Sequence, residues 1–277
     1  MSIKNILLAY TGSKSSDSAL AAALVLRGQF DAHLTALFAY IPSYVSGTLK
    51  PWMPQNVFDT VNQLEDAQLQ DIESGFFSLV KDHAPPDKLH WIAQIGEAGE
   101  IVSDHARLYD LTLIGRDNDT EAPTGSQLDA ERIALAGGRP VLVIPQSFSL
   151  KKFSEQALIA WDGKRAAARA LADALPILET RQQVTILSID SGEPADTSGK
   201  ITLDTALRRH GIYSKPVRLE RRGRDSIEKI LLDYLQQDPP GLLVMGASEQ
   251  RGGRNQHFGR LTDSILRNTA IPLLVSF

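Results

Sequence analysis

Two stretches of sequence decide the fold: ILLAYTGS at residues 6–13 and ALIAWDGK at residues 157–164. Each begins with a short apolar run and passes into a glycine-containing turn. An alanine-rich segment follows each of them, at residues 18–26 and 166–178 respectively. Because an apolar run without polar alternation is typical of a strand buried on both faces, each stretch predicts a first strand followed by a helix.

A second pair of landmarks closes each half of the chain. LTLIG at residues 111–115 corresponds to LLVMG at 242–246, and RPVLVIP at 139–145 corresponds to IPLLVS at 271–276. All landmarks occur in the same order in both halves, which predicts a duplicated structural unit.

The polar stretch near residues 146–155 is the predicted join, which places the first domain at residues 1–146 and the second at residues 155–277. Within each copy, strand-like runs alternate with helical segments, a pattern typical of βαβ units in a doubly wound parallel sheet. We therefore predict an α/β protein with two tandem doubly wound sheets of about five strands each. The predicted helices cover residues 15–27, 59–81, 99–108, 125–136, 165–179, 202–210, 226–236 and 261–268.

The composition excludes several classes of function. The 277 residues carry 29 Lys and Arg against 33 Asp and Glu, a formal net charge of −4, so the basic surplus typical of nucleic-acid-binding proteins is missing. The sequence has no cysteine, which excludes disulfides, thiolate nucleophiles and thiolate metal sites. The six histidines lack the i, i+4 spacing of a helical metal site.

The sequence pattern predicts neither a membrane-spanning helix nor a secretory signal. No apolar run approaches the ~20 residues of a membrane-spanning helix. The first residues lead directly into a strand-like run, so no secretory signal is expected. We expect a cytoplasmic protein without a membrane, nucleic-acid or metal partner.

A long connection in the first copy, from Ile41 to Phe58, contains three prolines beside Tyr44, Trp52 and Met53. Such a loop serves either as a lid over a pocket or as a packing flap between domains. Aromatic side chains in loops of this kind pack more often than they bind, which favours the packing interpretation.

Candidate ligand-binding residues follow the strands of the second copy, because ligands of open α/β sheets lie beyond the carboxyl ends of the strands. Asp162 follows the first strand, and the loop from Gly246 to Arg260 follows the fourth. This loop combines glycines with Arg251, Arg254 and His257, and backbone amides with arginines would hold a phosphate group. The alternative is a solvated turn whose glycines merely permit tight bends.

These features together resemble the universal stress protein superfamily, and the two-copy arrangement resembles its tandem members. The resemblance covers nearly the whole chain, and its residues are 6–13 and 158–163, 106–107 with 110–115, 241–246, and the closing strands 140–145 and 272–277. It implies two flavodoxin-like, adenine nucleotide alpha hydrolase-like domains with a Rossmann-like sheet. It also implies a bacterial-type role in stress response without intrinsic catalysis.

Many members of this superfamily bind ATP through the pattern G-x2-G-x9-G-[ST] after the fourth strand, together with an aspartate at the end of the first strand. In the second copy, Asp162 matches that aspartate, while Gly246 and Gly259 match the first and third glycines. Ile189 matches the position whose backbone faces the adenine. The resemblance therefore implies ATP as the cofactor, in the second copy only.

The second copy departs from this pattern at two positions. Glu249 replaces the second glycine, and Arg260 replaces the Ser or Thr. A carboxylate about 4 Å from a phosphate charge costs about 4 kcal/mol at an effective dielectric near 20, and only about 1.4 kcal/mol lowers affinity tenfold. The Arg260 guanidinium would oppose this effect by holding the phosphate in place of the hydroxyl. The substitutions together argue against tight ATP binding.

The first copy departs further from the pattern. Thr11 occupies the aspartate position, Asn118 replaces the second glycine, and no glycine stands near Gln127. Only Gly115 matches. We therefore expect the first copy to lack a nucleotide site of this type.

Three functions remain open at this stage. The chain is either a stress protein with one degenerate nucleotide site, or a ligand-free scaffold for an unidentified protein partner. A small nucleotide hydrolase is the third alternative, although the sequence shows no general base or metal cluster.

The closing strands 141–144 and 272–277 are apolar throughout, and exposed edges of this kind would promote aggregation. Pairing them with one another covers both edges and makes the chain an internal pseudo-dimer. In the superfamily, single-copy subunits associate through this strand, so the resemblance implies the same arrangement. A higher homo-oligomer stays open.

Overall fold

The computed structural model describes residues 2–42, 54–116, 128, 130–190, 201–221, 225–247 and 260–277, without the side chains of residues 131, 190, 260 and 263. The strands are β1 (Asn5–Ala9), β2 (His33–Tyr40), β3 (Leu89–Ile95), β4 (Leu111–Arg116), β5 (Val141–Pro145), β6 (Gln156–Ala160), β7 (Gln183–Asp190), β8 (Ser214–Glu220), β9 (Leu243–Gly246) and β10 (Leu273–Ser276). The α-helices are α1 (Lys14–Phe30), α2 (Gln55–Val80), α3 (Ala98–Ala106), α4 (Ala130–Gly137), α5 (Leu150–Glu155), α6 (Arg165–Leu178), α7 (Leu203–Arg209), α8 (Ile227–Gln237) and α9 (Arg260–Asn268).

The strands form one ten-stranded sheet in the order β3-β2-β1-β4-β5-β10-β9-β6-β7-β8. Each half therefore has the same internal order, third-second-first-fourth-fifth, and its strands run parallel. The doubly wound α/β fold predicted from the sequence is confirmed. The two predicted sheets are joined edge to edge rather than separate.

The joining pair is antiparallel and consists of the two closing strands. Leu273 lies opposite Val143, Leu274 opposite Leu142, and Val275 opposite Val141. The predicted pairing of these strands is thus present, and it covers the edge that each half would otherwise expose.

The apolar core lies in two layers, one on each face of the sheet. Leu142 and Leu274 belong to the layer beneath α1 and α6, whereas Val143 and Val275 belong to the opposite layer. Both layers contain buried residues from both halves of the chain. The halves therefore stabilise each other through a shared core as well as through the β5–β10 pair.

The polar join differs from the expectation because it contains a short helix, α5. Phe153 of this helix is fully buried, with its ring 5.8 Å from that of Phe148. The Arg181 guanidinium lies 5.1 Å from the centre of the Phe153 ring and donates to Gln29 of the first half at 3.4 Å. Burial lowers the pKa of Arg181 to about 10. The join is thus packed between the two halves.

The predicted long connection is also shorter than expected. Gln55–Phe58, which the sequence placed in the loop, form the first turn of α2. Tyr44, Trp52 and Met53 lie outside the described residues, so the choice between a lid and a packing flap stays a prediction.

A Leu274→Ala substitution tests the shared core. Leu274 is fully buried at the centre of the β5–β10 pair, and we expect its truncation to lower the free energy of unfolding by about 2–5 kcal/mol. Since both halves contribute to the same layer, urea unfolding followed by tryptophan fluorescence and by circular dichroism should show one transition that shifts as a whole. Leu108→Ala, at a highly exposed position, is the control and should change stability by less than about 0.5 kcal/mol. Two separate transitions, of which the substitution moves only one, would contradict the shared core.

Candidate functional site

The topology places one crevice in each half, at the carboxyl ends of neighbouring strands. In the second half, β6 and β9 are neighbours, and the chain continues from β6 to β7 in one direction along the sheet but from β9 to β10 in the other. Ligands of doubly wound sheets bind at such a switch point. The corresponding point in the first half lies between β1 and β4.

Asp162 lies in the turn that connects β6 to α6. Its Oδ1 accepts a hydrogen bond from the backbone N–H of Lys164 at 2.9 Å, and Gly163 adopts a φ of +73°, which favours glycine. The carboxylate is 56% exposed, and its Oδ2 lies 3.8 Å from the Lys164 ammonium. One carboxylate oxygen thus holds the turn, while the other lies beside the Lys164 ammonium in a side chain that is half exposed.

The helix α6 begins at this turn without a side-chain cap. Lys164 occupies the N-cap position in an extended conformation, and its ammonium group cannot accept a hydrogen bond from the first-turn amides. In the first half, the Ser13 hydroxyl accepts from the N–H of Ser16 and caps α1. The first-turn amides of α6 therefore lack the side-chain acceptor that their counterparts in α1 have.

Gly246 ends β9 and lies against the first turn of α6. A Cβ atom at this position would come within 2.1 Å of the backbone carbon of Ala166. Gly115 at the end of β4 has the same role in the first half, since its Cβ would come within 2.4 Å of the backbone of Ser15. Because both halves require glycine here, this position is explained by helix packing whether or not a ligand binds.

Ile189 lies near the end of β7, beyond the point where β6 ends. The pairing of β6 with β7 stops at Ala160 and Leu187, and the carbonyl of Leu187 accepts from the N–H of Trp161. Alternate residues of a strand direct their backbone groups to the same side, so the N–H and C=O of Ile189 point toward the crevice as those of Leu187 point toward β6. Asp162, Ile189 and Gly246 therefore lie at the carboxyl ends of the neighbouring strands β6, β7 and β9.

The remaining predicted site residues cannot be added to this group. Gly259 and Glu249 lie outside the described residues, as do Arg251, Arg254 and His257 of the same loop. Arg260 is the first residue of α9, and its side chain is not described. Their contribution to the site stays a prediction from the sequence.

The crevice of the first half differs in chemistry and in access. Thr11 replaces the carboxylate, and its hydroxyl donates to Ser13 Oγ at 2.9 Å, so its hydrogen-bonding capacity is used within the turn. A Cβ at Gly12 would lie 3.4 Å from Ile72 of α2, whereas none of the described residues comes within 4 Å of the same atom at Gly163. The α2 helix thus covers the first turn, while the second is open among the described residues. Sequence reasoning missed this covering contact because it joins residues that are distant along the chain.

Beside the first crevice, Tyr10 is buried and donates to Asp17 at 2.7 Å. Burial and this hydrogen bond raise the pKa of the Tyr10 hydroxyl well above its ordinary value. Its ring packs edge-on against Phe76 of α2 at 5.5 Å. Tyr10 is therefore a packing residue that anchors the covering helix.

Other features of the described residues do not extend the site. Among them, no group of three or more His, Asp or Glu side chains is close enough to hold a metal ion. No helix among them is both long and apolar enough to cross a membrane. A cavity of about 400 Å³ lies between α5 and the turns that precede β9 and β10. It is therefore at the amino ends of these strands, whereas the crevice is at their carboxyl ends.

Solved structures share this fold over the full length of the chain. A universal stress protein from Archaeoglobus fulgidus DSM 4304 matches with a TM-score of 0.71 at 14% identity, over 98% of this chain and 97% of that one. A functionally unknown protein from Pseudomonas aeruginosa PAO1 matches with a TM-score of 0.58 at 12% identity, over 99% of this chain and 92% of that one. No family model matches the sequence, and no curated protein matches it. The resemblance drawn from the sequence is thus confirmed at the level of the fold, including its two-copy arrangement.

Alanine substitutions at the two strand-end glycines test their packing role. Gly115→Ala and Gly246→Ala each force a Cβ into helix backbone, and we expect each to lower the free energy of unfolding by about 1–3 kcal/mol or more. Gly28→Ala is the matched control, because its Cβ would meet nothing within 4 Å in the exposed end of α1 and should stabilise the protein by about 0.5–1 kcal/mol. Equilibrium urea unfolding measures all three. Unchanged stability in Gly246→Ala would show that packing does not require glycine at this position.

Proposed function

We propose that the chain is a universal stress protein-type protein of the stress response, non-catalytic, with a single degenerate adenine-nucleotide site in its second half. The fold shared with the Archaeoglobus fulgidus universal stress protein supports the general assignment. The observation that carries the choice of half is the difference between the crevices. The second presents an exposed carboxylate in an open turn, and the first presents a hydroxyl beneath α2.

In this proposal each side of the crevice contacts one part of the nucleotide. Asp162 accepts hydrogen bonds from the adenosine through its exposed oxygen, and the backbone of Ile189 pairs with the edge of the adenine. The uncapped amides at the start of α6 donate to an anionic group. Backbone near Gly246 and Gly259, together with Arg260, contacts the phosphates, as the sequence pattern predicts.

The absence of catalysis is part of the proposal. Catalysed hydrolysis of the ATP phosphoanhydride bond would use a base that activates water and a group that stabilises the departing charge. Within the described part of the crevice, Asp162 is the candidate base, and in this proposal its oxygens bind the N–H of Lys164 and the adenosine rather than water. Release of inorganic phosphate from ATP that disappears in an Asp162 variant would replace this proposal by a hydrolase.

The cytoplasmic setting and an unidentified protein partner belong to the same proposal.

Asp162→Asn tests the assigned contact. The amide oxygen of Asn keeps the acceptor for the Lys164 N–H, so the turn persists while the charged acceptor is lost. A hydrogen bond to a charged group contributes about 1.5–3 kcal/mol, so we expect ATP affinity to fall about tenfold or more. Calorimetric titration with ATP, with and without Mg²⁺, measures the change.

Thr11→Ala is the control for that experiment, because Thr11 occupies the same position in the first half. We expect its ATP affinity to equal that of the unaltered protein. Equal weakening in both variants would contradict the choice of the second half. A lack of heat from the unaltered protein at millimolar ATP would favour the ligand-free scaffold instead.

Glu249→Gly restores the second glycine of the pattern. Removing a carboxylate near the phosphates should tighten ATP binding about tenfold or more, since a discounted repulsion of about 1.4 kcal/mol already has this effect. Glu249→Gln removes the charge without adding backbone freedom and so separates the two contributions. The same titration provides the readout, and weaker binding in both variants would contradict a repulsive role for Glu249.

A further inference from the structure

The outermost strand of the first half, β3, presents an open edge of the sheet. It is the first strand in the sheet order, and among the described residues it pairs only with β2. The N–H of Gly96, just after β3, donates to the carbonyl of Tyr40 on β2 at 2.9 Å. Because backbone groups alternate between the two sides of a strand, the N–H and C=O groups of Trp91, Ala93 and Ile95 point away from β2, toward the open edge.

This edge carries none of the features that prevent edge strands from pairing. No described residue accepts a hydrogen bond from the N–H of Trp91, Ala93 or Ile95. Ala93 is exposed, and so is Ile95, at 51%. The seven residues of β3, LHWIAQI, include no proline, aspartate, glutamate, lysine or arginine. Since proline and charged side chains are the usual protection of an edge strand, β3 is an unprotected edge.

The corresponding edge of the second half is protected. The strand β8 ends the sheet on the other side, and its pairing with β7 repeats the pairing of β3 with β2. In this shared register, the positions of Trp91, Ala93 and Ile95 are taken by Pro216, Arg218 and Glu220. Pro216 removes an edge-facing donor from the middle of the strand, and Arg218 and Glu220 add charges beside it. The chain thus protects one outer edge and leaves the other able to pair.

The strands next to the two edges differ in the same sense. On β2, the rings of Phe38 and Tyr40 stack with their centres 5.5 Å apart, and the Phe38 ring lies 6.2 Å from that of Trp91. All three side chains are partly exposed. In the second half, Ser188 takes the position of Phe38. An aromatic surface therefore reaches the β3 edge from within the sheet, whereas the β8 edge is polar.

We propose that β3 of one chain pairs with β3 of a second copy, antiparallel and in a two-fold register centred on Ile92. In this register Trp91 lies opposite Ala93 of the second copy, and Ala93 lies opposite Trp91 of the second copy. Each of these pairs exchanges two backbone hydrogen bonds, because the backbone groups of both residues point toward the open edge. The N–H of Ile95 donates to the carbonyl of Leu89 of the second copy. The ten-stranded sheet thereby continues into that of the second copy.

The side chains favour this register over its neighbours. His90 lies opposite Gln94 of the second copy on one face of the sheet, and on the other face the large Trp91 lies opposite the small Ala93. A shift by two residues in one direction would place Trp91 opposite itself. A shift in the other direction would place Ile92 opposite Gln94. Only the register centred on Ile92 pairs polar with polar and large with small side chains.

A second copy fits this edge better than an unrelated peptide does. The strand has no charged side chain that could select a charged partner, but it complements itself. The chain already joins its own halves by an antiparallel pair of edge strands, β5 and β10, and the dimer would extend the sheet in the same way. A contact through one short strand belongs to the smallest class of interfaces. We therefore expect dimers at high protein concentration and an open β3 edge in dilute solution.

Sedimentation over a wide range of protein concentration tests the pairing. The unaltered chain should show a monomer–dimer equilibrium. Ala93→Lys places a charge at an exposed position of the edge and should weaken the association about tenfold or more. Ala93→Pro removes an edge-facing N–H that the monomer does not use, and it should weaken the association as well. Leu108→Lys is the matched control, because it adds the same charge at an exposed apolar position before β4, and it should leave the association unchanged.

Amide hydrogen exchange locates the contact. The N–H groups of Trp91 and Ala93 should exchange more slowly as the protein concentration rises, whereas that of Arg218 on β8 should exchange at a constant rate. A monomer at every concentration would overturn the proposal and assign the edge to a different chain. The proposal also fails if neither Ala93 variant weakens the dimer, or if dimer formation protects Arg218 instead of Ala93.

Discussion

The structure depends on the antiparallel contact between β5 and β10. These strands pair through three opposed positions, and every other strand pair in the sheet is parallel and internal to one half. Each half closes with a strand of apolar side chains, which would form an exposed edge if the half stood alone. Pairing the two edges removes both of them and brings α1 and α6 over one continuous apolar layer. The short helix α5 fits against this layer through Phe153, so even the join contributes to the contact.

A duplicated framework of this kind separates packing from chemistry. The glycines at the ends of β4 and β9 allow the same close approach of a helix in both halves, and the turns after β1 and β6 share a glycine with positive φ. On this common backbone the side chains differ. Asp162 stands at the crevice of the second half, where Thr11 stands in the first. The candidate nucleotide site therefore lies where the second half departs from the first, and the backbone that supports it is the same in both.

The sequence predicted what is local and repeated. Buried parallel strands are continuous apolar runs, so the landmarks at 111–115 and 242–246 located their strands and the duplication. The helix α5 escaped prediction because a helix this short buries one apolar side chain, Phe153, and leaves no periodicity to detect. The sequence also did not predict that α2 covers the first crevice, because the contact between Gly12 and Ile72 depends on how α2 crosses the sheet. A cavity of about 210 Å³ between the halves brings together Arg139, Arg165 and Ser276, and their proximity follows only from the antiparallel β5–β10 contact.

Amide hydrogen exchange at the closing strands tests this central contact most directly. If β5 and β10 lie paired inside one sheet, the amides of Val141–Val143 and Leu273–Val275 should exchange as slowly as those of the interior strands β1 and β6, because opening them requires global unfolding. The outer strands β3 and β8 of the same protein provide the reference for edge behaviour. Exchange in the closing strands as fast as in β3 and β8 would mean that the halves do not share a sheet in solution, and it would contradict the account.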